Sequence, residues 1–112
     1  MVGDILKYLR LCNDLSIEEV AKKMGTSSSY ISDVEKSRRN ISLPTLKKFA
    51  ECYDIEVHKI ISYVELKESG MDRIHILIDM LKYYLEKEKF FPKTAKNQVT
   101  KGIIEKIYRT KV

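Results

Sequence analysis

The 112-residue sequence predicts an all-α fold: five short helices over residues 1–65, a linker at 66–71, and a two-helix segment over 72–112. Three observations predict it. Apolar residues recur at intervals of three and four, the period of a helix face rather than of a strand. Some of the periodic stretches open on Ser or carry Pro early, and one closes on Gly25, which is the punctuation of helix ends. The composition, 44% hydrophobic and 33% charged, belongs to a chain able to bury a core and contains no internal repeat.

The first helix spans about Gly3 to Asn13, with Ile5, Leu6 and Leu9 on one face. A second starts at Ser16, where Glu19 stands at capping-box spacing, and ends at Gly25; Val20, Ala21 and Met24 form its inner stripe. Thr26 or Ser27 opens a third helix running to about Lys36, with Ile31 and Val34 inward and Ser28, Ser29, Ser32 and Asp33 outward. After the basic loop Ser37-Arg38-Arg39-Asn40, a fourth helix carries Leu43, Leu46, Phe49, Ala50 and Tyr53, with Pro44 in its first turn. A short fifth helix presents Val57, Ile60 and Ile61, and the pattern breaks from Lys67 to Gly70.

The next helix, about Asp72 to Lys89, has Ile74, Leu77, Ile78, Leu81, Tyr84 and Leu85 at helical spacing, with Ile76, Met80 and Tyr83 beside them. So wide an apolar surface exceeds what one neighbouring helix covers. Phe90-Phe91-Pro92 stops that helix. A last amphipathic segment, about Ala95 to Arg109, carries Val99, Ile103, Ile104, Ile107 and Tyr108.

The formal charge of +5 points toward nucleic acid, but its distribution does not. Ten cations and ten anions cancel up to Glu65, so the whole surplus lies in the C-terminal part. DNA binding has to be argued from local placement. The lysines from Lys82 to Lys111 read as a solvated face, with added attraction to DNA or to an acidic protein as the alternative.

Other classes are excluded more directly. No apolar run approaches the roughly 20 residues of a membrane span, and none near the N-terminus fits a secretory signal, so a cytoplasmic, nucleoid-associated protein is expected. Cys12 and Cys52 lack any C-x-x-C partner and read as reduced packing thiols; His58 and His75 stand alone, so no metal or cofactor is expected. No nucleophile-base pairing, glycine-rich phosphate loop or carboxylate pair supports an enzyme.

From Ser16 to Lys36 the chain resembles the helix-turn-helix of the phage repressor and Cro (XRE) family, and the resemblance covers about residues 3–64. Ala21 stands where two helices cross closely, Gly25 is the turn, and Ile31 and Val34 are the buried positions of the second helix. The resemblance implies a five-helix lambda-repressor-like domain whose third helix, 27–36, enters the major groove of double-stranded DNA. By position in the family motif, Ser28, Ser29 and Asp33 face bases. Serine reads bases weakly, because one hydroxyl both donates and accepts, and Asp33 serves mainly to reject wrong sequences. Ser16, Ile17, Ser27, Tyr30, Lys36, Arg38, Arg39 and Asn40 fall along the phosphate backbone. Arg10 and Glu35 match a structural ion pair between the first and third helices.

Two positions depart from the family: Ser37 replaces a glycine and Ile41 a proline, so a differently shaped loop is expected. Regulators of this family bind as dimers across inverted repeats. The segment after Gly70 reads as the dimerisation or partner-binding part, with Ile74, Leu77, Ile78, Leu81, Tyr84, Leu85, Ile103 and Ile107 at the interface. The alternative is that it packs back on the first domain. The reading is therefore a dimeric repressor; the rival is a regulator whose C-terminal helices bind a protein antirepressor or toxin.

Overall fold

A computed structural model describes residues 2–88 as six helices in chain order. They are α1 (Val2–Cys12), α2 (Ile17–Met24), α3 (Ser28–Glu35), α4 (Leu43–Cys52), α5 (Val57–Glu68) and α6 (Arg73–Glu88). Among the described residues there is no strand, and no helix is long and apolar enough to cross a membrane.

Local chemistry sets the helix starts. Ser16 Oγ accepts from the Glu19 N–H at 3.0 Å while the Ser16 N–H donates to Glu19 Oε1 at 2.9 Å, a complete capping box. Ser27 Oγ accepts from the Tyr30 N–H at 3.1 Å, and Ser42 Oγ from the Thr45 N–H at 3.3 Å.

The ends of α1 to α5 share one device. Each reverses through a residue with positive φ, at Asp14, Gly25, Ser37, Asp54 and Gly70. The N–H just beyond each of these residues bonds a carbonyl five residues back, as in Arg38 to Asp33 at 2.8 Å and Thr26 to Ala21 at 2.9 Å. Ser37 thus adopts, at φ 60°, the left-handed conformation that glycine would supply. The loop after α3 therefore begins as a glycine-ended loop does, although Ser37 suggested another shape.

The core is one continuous cluster drawn from all six helices, with Ile5, Leu6, Leu9, Val20, Ile31, Phe49, Tyr53, Ile60 and Tyr63 fully enclosed. Two expectations about its C-terminal side need correction. The segment expected as a linker at 66–71 is helical as far as Glu68, making α5 twelve residues long rather than a short helix. Tyr63 is buried, Val64 and Leu66 pack against the core, and Lys67 Nζ lies 3.3 Å from Asp4 Oδ2, so polar neighbours interrupt the pattern without ending the helix.

The second correction concerns α6. It packs on α1 and α5, and Ile76, Met80, Leu81 and Tyr84 complete the chain's own core. Leu81 and Tyr84, expected at an interface between chains, are thus buried within this one. Ile74 stays exposed, at 56%, while Leu77, Ile78 and Leu85 are half-buried. Ile103 and Ile107 lie outside the described residues.

Polar contacts pin α6 in place. Asn13 Nδ2 donates to the Leu9 carbonyl at 2.7 Å and to the Tyr84 hydroxyl at 3.1 Å, and Tyr84 in turn donates to the Tyr53 carbonyl. Lys87 Nζ donates to the Asp54 carbonyl at 2.7 Å and pairs with its carboxylate at 3.0 Å. Burial pushes the Cys12 thiol up to about 12, keeping it protonated, and raises the Tyr53, Tyr63 and Tyr84 hydroxyls above their usual range.

Candidate nucleic-acid interface

The surface that reads as functional is the outer side of α3, with the turn before it and the loop after it. Val20 and Ala21 face inward from α2 and Ile31 and Val34 from α3, which leaves the opposite side of α3 to its polar residues. Ser29 is exposed there, whereas Ser28, Ser32 and Asp33 are half-buried. Gly25, at φ 67°, makes the turn between the two helices.

Two anchors fix α3 against α1. Arg10 grips Glu35 with two parallel bonds, Nε to Oε2 at 2.7 Å and Nη2 to Oε1 at 3.0 Å, and its Nη1 donates to the Leu15 carbonyl at 3.0 Å. Both side chains are buried, and the bond from Glu35 raises the Arg10 guanidinium further above its ordinary range. The predicted ion pair is thus present. The second anchor is a close approach at Gly3, where a Cβ would lie 2.5 Å from the Val34 carbonyl oxygen and 2.7 Å from that of Glu35. The N-terminus of α1 therefore presses on the last turn of α3. Sequence reasoning missed Gly3; its one signal was a glycine where an early helical position favours a side chain.

Lys36, Arg38, Arg39 and Asn40 follow α3, all exposed. The Arg39 guanidinium carbon lies 5.3 Å from the centre of the Tyr30 ring, a contact that no spacing along the chain predicts. At the start of α2, Ile17 is half-buried against the core, and both the N–H and the hydroxyl of Ser16 are engaged by Glu19. Glu18 and Glu19 place two carboxylates in that first turn. His58, expected to stand alone, lies 3.1 Å from Glu56 with both side chains exposed. Among the described residues, no three ligating side chains gather as a metal site would require.

The profile of the helix-turn-helix family matches residues 6–60. The chain is 38% identical over 60 residues to the HTH-type transcriptional regulator DdrOP3 of Deinococcus deserti, covering 54% of this chain and 46% of that protein. Over 60 residues it is 37% identical to the immunity repressor protein of Bacillus phage phi105, covering 54% of this chain and 42% of the repressor. It is 31% identical over 67 residues to the control protein C.SmaI of Serratia marcescens, covering 60% of this chain and 80% of that protein. The chain thus spans less than half the length of the first two.

Proposed function

We propose, from the premise that this chain belongs to the helix-turn-helix family of XRE-type regulators, that it is a sequence-specific transcriptional regulator binding double-stranded DNA through α3. The observation that carries this reading is a short helix with a polar outer face, locked from behind by the Arg10–Glu35 pair and followed by an exposed basic loop. A recognition helix needs that combination: rigidity behind, groups able to meet base edges in front, and cations beside it for phosphates. A regulator of this family works by binding rather than by catalysis.

In this reading Ser28, Ser29 and Asp33 meet base edges. Ser27, Tyr30, Lys36, Arg38, Arg39 and Asn40 lie along the phosphate backbone, and the first turn of α2 at Ser16 and Ile17 approaches a phosphate through its N–H groups. Because Ser16 is occupied in its own capping box, Ile17 is the better donor of the two. The chain acts as a homodimeric repressor on an inverted repeat, as one such helix covers only one half-site. The exposed Ile74, next to the half-buried Leu77 and Ile78, supports an interface on the outer face of α6. The phage phi105 relative is an immunity repressor, which supports repression over activation.

Selection of bound sequences from random duplex DNA tests this. A two-fold symmetric site is expected, and Ser28→Ala/Ser29→Ala is expected to alter the preferred half-site at unchanged Tm. An identical sequence profile for wild type and variant would remove α3 from the reading surface. Co-purification of a small protein in place of a second copy would favour the antirepressor or toxin-partner alternative.

A further inference from the structure

We infer that Tyr30 and Arg39 act on DNA as one unit, in which the Tyr30 ring is a positioning residue holding the Arg39 guanidinium for a phosphate beside the start of α3. The inference rests on the DNA-binding reading above and adds how the loop's charge is aimed. A flexible arginine on an exposed loop loses much rotamer freedom when a phosphate captures it, which weakens the contact it makes. Arg39 is partly relieved of that loss, because its guanidinium carbon already lies 5.3 Å from the centre of the Tyr30 ring, within cation–π reach.

The ring is a fixed support. Tyr30 is half-buried and packs against the core, and Ser27 Oγ caps its backbone N–H at 3.1 Å in the first turn of α3. A guanidinium resting on a ring by its face keeps its N–H edges free for the forked bond that phosphate oxygens accept. Among the described residues no carboxylate forms an ion pair with Arg39, so its charge is not spent inside the protein. Arg38, adjacent and equally exposed, rests on no ring among the described residues. The ring and the guanidinium sit where α3 begins, so a phosphate held there sets the depth at which Ser28 and Ser29 reach the bases.

The test is a double-mutant cycle on the full chain, binding the duplex obtained by selection across a salt series, with Tm of each free variant as a folding control. Arg39→Ala is expected to weaken binding about fivefold and to lower the slope of log affinity on log salt by about 0.9, one phosphate contact. Tyr30→Phe keeps the ring and is expected to lose less affinity than Tyr30→Leu and to keep its coupling to Arg39. Tyr30→Leu is expected to weaken binding about threefold in the wild-type background and by less than about 1.5-fold in Arg39→Ala.

Arg39→Lys, which leaves the fold of α3 untouched, keeps a charge without the planar fork and is expected to lose about as much affinity as Tyr30→Leu. Equal Tyr30→Leu losses in both backgrounds, or an Arg39→Lys that binds as wild type, would overturn the positioning role and leave the loop contact standing. Unchanged affinity and slope in Arg39→Ala would overturn the loop contact itself.

Discussion

Replacing Arg10 by methionine is the most informative single perturbation of this fold. Methionine keeps the apolar stem but ends where the guanidinium begins, so three hydrogen bonds are lost, two to Glu35 and one to the Leu15 carbonyl. Glu35 has a side chain only 6% exposed, so its carboxylate is left in the interior without a counter-charge. Breaking a buried pair from one side costs about 3–5 kcal/mol, mostly the penalty of that stranded charge. For a domain of this size each kcal/mol shifts Tm by roughly 4–8 °C, so a fall of about 12–40 °C is expected. Arg10→Met/Glu35→Leu removes both charges and leaves chiefly the Leu15 carbonyl without its donor, a cost of about 1–3 kcal/mol. The double variant is therefore expected to be more stable than Arg10→Met alone by about 2 kcal/mol in urea melts, with a loss smaller than the two single losses summed. Additive single variants, or an Arg10→Met loss under about 1 kcal/mol, would mean that solvent reaches the pair and would refute the argument. DNA affinity provides a second check: a purely structural pair predicts that the folded fraction of the double variant still binds.

Gly3→Ala forces a methyl group against the carbonyls of Val34 and Glu35 and is expected to cost about 1–3 kcal/mol in urea melts, while loosening the seat of α3. Ser37→Gly relieves a left-handed serine and is expected to raise stability by about 0.5–1 kcal/mol, read in the same assay. Raising the pH should destabilise the fold: the folded Cys12 pKa of about 12 lies above its ordinary 9.0, so stability present below 9 is lost as pH climbs toward 12. Cys12→Ala should flatten the part of that profile between pH 9 and 10, below the range where the buried tyrosines contribute. Ile74→Asp is expected to shift the chain toward monomer in sedimentation without lowering Tm, because the side chain is already 56% exposed; an unchanged assembly would place any dimer contact elsewhere.

The starts of α2 and α3 were legible because each depends on residues within one turn, Ser16 with Glu19 and Ser27 before Tyr30, whereas α4 was marked by Pro44 and its Ser42 cap was missed. The ends were legible only where glycine marks them. Asp14, Ser37 and Asp54 take the same left-handed step with no glycine, since the bonds around each turn offset the Cβ penalty. Arg10 and Glu35 were recoverable through the family pattern, although 25 residues separate them. No pattern brought Tyr30 under Arg39, because the path of a loop decides that contact. The C-terminal side was misjudged for a tertiary reason. Two apolar stripes run side by side along α6, and the surface on α1 and α5 takes part of each, Ile76 and Met80 from one and Leu81 and Tyr84 from the other.

That choice bears on what counts as one folding unit here. The family match ends at residue 60, yet the core continues through Ile76, Met80, Leu81 and Tyr84. Removing α6 would uncover the apolar faces of α1 and α5 and leave Asn13 without its Tyr84 partner. A truncation after Glu68 that lost DNA binding would therefore confound loss of dimer with loss of fold. α1 makes the connection physical: Gly3 and Arg10 meet α3, and Asn13 at its end meets α6. One helix is thus shared between the segment that bears on the bases and the one that closes the core. Substitutions confined to the outward face of α6 leave that shared support intact, so they alone separate assembly from folding.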